Sequence, residues 1–128
     1  MKRKNVSSDS PMEEQIGFSR AVRIGNQIAV AGTAPIRADG KNAEIGNVYE
    51  QTKRCLEITQ RAIEDVGGTI GDVIRTRIML IDISTWKEAA KAHGEYFTNI
   101  NPVCTFVEVK GFIDKEWLVE TEADCVLS

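Results

Sequence analysis

Residues 117–127 alternate between apolar and acidic side chains, and this alternation restricts the fold more than any other feature of the chain. Successive side chains of a β-strand point to opposite faces, so the pattern predicts a strand with one buried and one acidic face. The acidic face is either the solvated outside of an antiparallel sheet or holds one acid with a raised pKa that acts as an acid or base. The buried face would carry Trp117, Val119, Thr121, Ala123, Cys125 and Leu127, and the acidic face Leu118, Glu120, Glu122, Asp124 and Val126.

The length and composition predict one globular domain over residues 1–128. A chain of 128 residues buries roughly two-thirds of its unfolded surface, which is enough for a core without stapling bonds. The contents of 42% hydrophobic and 27% charged residues are ordinary for such a domain. Residues 1–15 are polar and mixed, and we expect them to form a loosely ordered lead-in to the fold.

Charge and cysteine usage exclude several classes of function. The net charge of −3 disfavours a nucleic-acid partner, because phosphates are held by clustered lysines and arginines. No apolar run follows the basic residues 2–4, so we expect neither a signal peptide nor a membrane span, and a cytoplasmic location. Cys55, Cys104 and Cys125 are far apart and His93 is the only histidine, so the sequence predicts no metal site, no disulfide and no cofactor.

The order of predicted elements is ββαβαββ, which indicates an α+β fold with two helices on one face of a single mixed sheet. The uncovered face would carry several apolar residues, including Val22, Ile24, Val73, Met79 and Ile81, and such a patch indicates an oligomer interface. The predicted elements are a hairpin of strands 18–24 and 27–33 around Gly25-Asn26, a helix over 48–66 closed by Gly67-Gly68, a strand over 72–83, a helix over 86–98, and two strands after Asn101-Pro102.

Four residues within these elements attract attention as candidates for function. Gly32 ends the second strand, where it either relieves packing or lets a ligand approach the backbone. Arg77 lies in mid-strand among apolar residues. Cys55 and His93 fall on the apolar stripes of the two helices, where a small core residue and a hydrogen-bonded core histidine are the favoured interpretations.

Several short runs together resemble the RidA (YjgF) family of reactive-intermediate deaminases. The resemblance covers residues 16–127 in order, and its specificity comes from the set of runs rather than from one of them. The runs are Phe18-Ser-Arg-Ala-Val-Arg-Ile-Gly-Asn26, Ala31-Gly-Thr-Ala-Pro-Ile36, Met79-Leu-Ile-Asp-Ile83 before Trp86, Tyr96-Phe97, Asn101-Pro-Val-Cys-Thr105 and Val119-Glu-Thr-Glu-Ala123.

The resemblance implies a chorismate-mutase-like homotrimer with clefts between subunits that bind a small molecule. It gives Glu120 the role of orienting the attacking water, and it places Gly32 and an amide near Phe106 against the ligand, with Phe18 as an aromatic wall. Thr33, Arg77, Cys104 and Thr105 are further candidate ligand-binding residues.

The chain departs from the family's deaminases at two of these positions. Cys104 stands where they have the arginine that grips a substrate carboxylate, and Phe18 stands where they commonly have tyrosine. A guanidinium makes two charge-assisted bonds to a carboxylate, each worth about 1.5–3 kcal/mol, and a thiol makes none. We therefore expect 2-imino acids to bind on the order of a hundredfold more weakly, unless Arg20 or Arg77 substitutes.

Three hypotheses of function follow. The first is a metabolite-binding trimer that hydrolyses an imine, enamine or related compound with Glu120 as acid–base group. The second is a non-catalytic, regulatory metabolite-binding trimer, which the missing arginine favours and the retained Glu120 disfavours. A nucleophilic Cys104 in the same cleft is a variant that lacks an evident activating base. The third, an endoribonuclease, corresponds to an older family label, and the acidic charge and single histidine disfavour it.

Overall fold

All 128 residues are described in a computed structural model, which contains one six-stranded sheet and three α-helices. The strands follow the spatial order β1-β2-β3-β6-β4-β5. The strands are β1 (Arg3–Val6), β2 (Ala21–Ile24), β3 (Gln27–Thr33), β4 (Val73–Leu80), β5 (Val103–Glu108) and β6 (Val119–Val126), and the helices are α1 (Pro11–Ile16), α2 (Val48–Asp65) and α3 (Trp86–Phe97).

The C-terminal strand β6 lies inside the sheet, antiparallel to both β3 and β4. Its alternation is the predicted one: Val119, Thr121, Ala123 and Cys125 are buried, and the acids between them are partly exposed. Strand β5 runs parallel to β4, which requires a crossover, and α3 provides it. The mixed α+β sheet predicted from the sequence is confirmed.

The core lies between the sheet and the helices α2 and α3. Helix α2 begins after Asn47, whose side chain accepts a bond from the amide of Glu50, and it is followed by Gly67 at φ +89°. Its inner face buries Leu56 and Ile63 against residues of β3 and β6. This packing follows from the helical stripe and holds α2 close to the positions at which β3 and β6 meet. None of the helices is long and apolar enough to cross a membrane.

A β-bulge at the start of β4 changes which residues face the core. The register with β6 shifts between Val73 and Arg75, so that Val73 is 3% exposed and Ile74 is 51% exposed. The predicted placement of Val73 on the outer face is therefore wrong, because strict alternation fails where an extra residue is inserted. Residues 76, 78 and 80 face the core as predicted. The outer face still carries apolar residues, among them Val22, Ile24, Ala29, Ile74 and Val126.

The N-terminal residues form a strand and a short helix. Strand β1 pairs with the free edge of β2, and α1 follows after the N-cap Ser10. The sequence supplies this helix with Pro11 at its first position and with Gly17, in the left-handed conformation, at its end. Residues 3–17 thus form part of the domain because an unpaired edge and a buried ion pair, described below, both hold them.

Candidate functional site

Glu120 is the most unusual acid of the chain because it is half-buried and has no hydrogen bond or ion pair within the protein. The other acids of its strand face, Glu122 and Asp124, are paired with arginines. Burial raises the pKa of Glu120, the charge of Arg20 lowers it, and repulsion from Glu122 raises it further, so that the net direction is upward. Half-buried acids with a raised pKa are candidates for proton transfer.

Gly32 provides the space that the Glu120 side chain occupies. The pairing of β3 with β6 is irregular between Val30 and Thr33, which places Gly32 in a bulge beside Glu120. A Cβ atom at position 32 would lie 3.1 Å from Oε1 of Glu120, which is closer than an ordinary contact. The glycine predicted as a place of close approach therefore lies directly against the predicted acid.

Arg20 is a buried arginine that joins the bulge to the N-terminal segment, and it is 7% exposed. Its Nη1 donates to the carbonyl oxygen of Gly32 at 2.7 Å and to Oγ1 of Thr33 at 3.3 Å, and its Nε donates to Oγ of Ser8 at 3.2 Å. The guanidinium carbon lies 5.3 Å from the centre of the Phe18 ring. These bonds fix the backbone of the bulge from its buried side.

Glu13 of α1 is the counter-ion of Arg20. Its Oε2 lies 3.8 Å from Nη2 of Arg20, and both side chains are less than one-tenth exposed. Burial acts to raise the pKa of Glu13, but hydrogen bonds from the hydroxyl and amide of Ser8, together with Arg20, outweigh it and hold the pKa below its ordinary value. The Glu13 carboxylate is therefore ionised at neutral pH and matches the charge of Arg20.

The predicted site residues fall into three sets within one chain: those at the bulge, Arg77, and those on β5. Phe18, Gly32, Thr33 and Glu120 lie together at the bulge, around Arg20. Thr33 is 1% exposed, and its hydroxyl donates to the carbonyl oxygen of Ala31 at 2.8 Å, so it supports the bulge from inside.

Arg77 lies on the outer face of the sheet, where it forms ion pairs with acids other than Glu120. Its Nη1 is 3.4 Å from Oε1 of Glu122 and 3.5 Å from Oδ2 of Asp124. In the pairing of β4 with β6, Arg77 is opposite Glu122, whereas Met79 is opposite Glu120. Arg77 therefore lies opposite Glu122, the next acid along the same face of β6, and not opposite Glu120. Its positive charge is balanced by Glu122 and Asp124.

The remaining predicted residues, Cys104, Thr105 and Phe106, lie on β5, which β4 separates from β6. Cys104 is opposite Thr76, and the position level with Glu120 is Val107. One chain therefore does not bring these three residues to Glu120. Cys104 is exposed, and β5 is an edge strand, so a second chain can approach it.

Of the two helical residues, Cys55 lies in the core and His93 is partly buried. Nε2 of His93 lies 2.8 Å from Oγ1 of Thr76, its ring is 4.5 Å from that of Phe97, and burial lowers its pKa. Cys55 is fully buried, and burial raises the pKa of its thiol. Both observations agree with the predicted hydrogen-bonded core histidine and small core residue.

Sequence reasoning missed Ser8 and Glu13 and treated Arg20 only as a possible substitute. A signal for them existed: Ser10 followed by Pro11, with Glu13 at the third helical position, is typical of a helix start. That a charged residue of such a short helix is buried could not be deduced, because it depends on the opposite charge of Arg20 nearby.

The fold and site define a class of small α+β protein with an acid and a glycine bulge on adjoining strands. The family model described as Endoribonuclease L-PSP matches residues 9–127. The chain therefore belongs to the RidA (YjgF) family, as the resemblance suggested.

Individual relatives and solved structures support the same family membership. The chain is 33% identical over 106 residues to a RutC family protein of Pyrococcus abyssi, covering 83% of each chain. It is similar to the crystal structure of Rv2704 from Mycobacterium tuberculosis, described as a member of the YjgF/YER057c/UK114 family, with a TM-score of 0.90, 40% identity and coverage of 98% of this chain and 100% of that one. It is 26% identical to the 3-aminoacrylate deaminase RutC of Acinetobacter baylyi, covering 78% of this chain and 79% of that protein.

Proposed function

We propose that this protein hydrolyses a small imine or enamine, with Glu120 as the acid–base group. The observation that carries the proposal is the environment of Glu120, which is half-buried, has a raised pKa and no partner within the chain, and lies directly against Gly32. A carboxylate left without a partner in this way is costly to stability and is typical of a functional position.

The chemistry needs one group that first accepts and then donates a proton. The reacting form is the protonated imine, which an enamine reaches by protonation at carbon. Water adds to the carbon of the C=N bond, Glu120 takes a proton from that water, and the adduct is a neutral carbinolamine. Glu120 then gives the proton to nitrogen, the C–N bond breaks and ammonia leaves, and the hydroxyl proton passes to the ammonia as the carbonyl forms. An acid whose pKa is raised toward neutrality suits both steps, because its two protonation states are closer in energy at the working pH.

The family and one named relative support this reaction class. The relative from Acinetobacter baylyi is named as a deaminase of 3-aminoacrylate, which is an enamine. The endoribonuclease description has less support in this chain, because its net charge is −3 and the partly buried His93 is bonded to Thr76.

The proposal includes a homotrimer in which β5 of one copy completes the Glu120 site of the next. Its support is the apolar outer face and the separation of Cys104, Thr105 and Phe106 from Glu120 within one chain. The alternative of a non-catalytic binding trimer is favoured by one specific feature, the thiol of Cys104 at the position of the deaminases' arginine.

Imine hydrolysis in the presence of a competing trap tests the proposal. An amino-acid or amine oxidase generates the imine in situ, semicarbazide captures what survives, and an active protein lowers the captured yield. We expect wild-type protein to lower the captured yield and Glu120→Gln to leave it unchanged. Glu122→Gln, which removes an acid paired with Arg77, should lower the yield as the wild type does. A ligand that raises the melting temperature but is never turned over would instead identify a binding protein.

A further inference from the structure

We infer that the ligand of the Glu120 site is a neutral or cationic nitrogen compound that presents N–H groups and carries no carboxylate. This inference rests on the proposed function and specifies its substrate class. It follows from the balance of charges around the site, in which each nearby arginine already has an anionic or carbonyl partner.

Arg20 is the arginine nearest to the site. Its Nε and Nη1 already donate hydrogen bonds within the protein, and its charge faces that of Glu13. Nη1 and Nε bond Gly32, Thr33 and Ser8, and Nη2 faces the Glu13 carboxylate at 3.8 Å. Burial of this pair away from water strengthens the attraction between its members. A ligand carboxylate would have to compete with Glu13, which the fold holds in place through Ser8.

The other arginines around the bulge are no more available. Arg77 and Arg75 pair with Glu122 and Asp124 on the outer face. Arg54 of α2 donates from Nε to the carbonyl oxygen of Ile36 at 2.8 Å, and its Nη1 lies 3.9 Å from Glu57. Since these positive charges are balanced, Glu120 is the unpaired charged group that this chain brings to the site.

An unpaired carboxylate selects its ligand by the sign of the ligand's charge and by the hydrogen bonds that the ligand can donate. It accepts bonds from amine, iminium or amide N–H groups, and it repels a second carboxylate in the same partly buried space. The Phe18 ring, which lies against the guanidinium of Arg20, is apolar and offers no hydrogen-bond donor. The site therefore recognises the nitrogen end of a ligand and opposes an anionic end.

A matched pair of substrates tests the inference. Phenylalanine and 2-phenylethylamine give imines that differ by one carboxylate when an amino-acid oxidase and an amine oxidase, respectively, oxidise them. We expect kcat/KM for the amine-derived imine to exceed that for the imino acid by about tenfold or more, since a like charge in a desolvated site is strongly disfavoured. Equal turnover, or preference for the imino acid, would overturn the inference and leave the proposed function standing.

If neither imine is hydrolysed, the proposed function is refuted. A binding measurement then tests the inferred ligand class by itself. Isobutyramide and isobutyrate have nearly the same shape but differ in N–H donors and charge, and their effects on the melting temperature report binding without turnover. Stabilisation by the amide alone supports the inferred ligand class. Stabilisation by the carboxylate, or by neither compound, overturns it.

The variant Glu13→Gln tests the role given to Arg20. Removing the Glu13 charge frees the charge of Arg20, so the preference against the carboxylate member of each pair should fall by about threefold or more. An unchanged preference in folded Glu13→Gln would show that Arg20 does not act at the site. If this variant does not fold, the preference of the wild type between the two members of each pair decides the inference.

Discussion

Nη1 of Arg20 lies 2.7 Å from the carbonyl oxygen of Gly32, so a buried cation holds the backbone against which Glu120 rests. The same guanidinium reaches Ser8 through Nε and faces Glu13 through Nη2. The N-terminal segment, the bulge of β3 and the acid of β6 are therefore one connected structure. Changes at Arg20 should affect both stability and the site.

Replacement of Arg20 by methionine should destabilise the protein by about 3 kcal/mol, because it leaves the buried Glu13 carboxylate and the Gly32 carbonyl without their donor. Urea unfolding measures the change. The double variant Glu13→Leu, Arg20→Met should recover part of the loss, since it removes the unpaired charge as well. The exposed Arg61, which pairs with Asp65 on α2, is the matched control, and Arg61→Met should leave stability nearly unchanged. Equal effects at positions 20 and 61 would contradict this account.

Replacement of Glu120 by glutamine should stabilise the fold while it removes activity. The pKa of Glu120 is raised in the folded state above its ordinary value of 4.5, so ionisation costs stability at pH values above the folded pKa. That cost disappears as the pH falls below 4.5, where the acid is protonated in both states. We expect the melting temperature of Glu120→Gln to exceed that of wild type by roughly 2–5 °C at pH 7 and the difference to shrink toward pH 4.

Glu122→Gln is the matched control for this effect. Glu122 lies on the same face of β6 and pairs with Arg77, so its loss should not raise the melting temperature. A rise of the same size in both variants would mean that the general charge of the strand, rather than the unpaired state of Glu120, limits stability.

Replacement of Gly32 by alanine should reduce activity more than stability. The added Cβ would lie 3.1 Å from Oε1 of Glu120 and would displace the carboxylate by a few tenths of an ångström, and a misplaced catalytic group costs about tenfold or more in rate. Gly71 is a suitable control, because a Cβ there makes an ordinary contact of 3.5 Å far from the acid. Full activity of Gly32→Ala would show that the position of Glu120 is not critical.

The sequence predicted those parts of the fold that depend on local patterns. The alternation of β6 and the stripe of α2 follow from strand and helix periods, and both are observed. The bulge at Val73 was not predictable in this way, because inserted residues depend on how β4 pairs with β6. The buried partnership of Glu13 with Arg20 likewise depends on tertiary contact and has only a helix-start signal in the sequence.

For the candidate site, sequence reasoning identified the acid and the glycine but not what surrounds them. Glu120 and Gly32 lie together as the resemblance implies, although their roles stay predictions. Arg77 is on the expected outer face, but its pairing with Glu122 could be seen only from strand register. Cys104 and Glu120 lie on strands that β4 separates, so a common cleft for the two residues stays a prediction.

The apolar outer face should hold a trimer together. We expect sedimentation equilibrium of the wild type to give three times the chain mass of 14.2 kDa. Ile74 is 51% exposed in a mostly apolar patch, and Ile74→Asp should dissociate the assembly by adding a charge to that patch. Ile45, 68% exposed in the loop between β3 and α2, is the control, and Ile45→Asp should leave the mass unchanged. A wild-type monomer would refute the trimer.

Replacement of Cys104 by arginine should restore activity toward 2-imino acids. A guanidinium at this position can make two charge-assisted bonds to a carboxylate, so we expect a gain of about tenfold or more in kcat/KM for 2-iminopropanoate, whereas Cys104→Ser should give none.

The gain should also depend on a second chain, because β4 separates Cys104 from Glu120 within one chain. Mixed trimers of wild type with the double variant Cys104→Arg, Glu120→Gln test this: activity of the mixture above that of either protein alone would mean that the introduced guanidinium of one subunit serves Glu120 of another. No gain in Cys104→Arg would contradict the assignment of this position to the cleft.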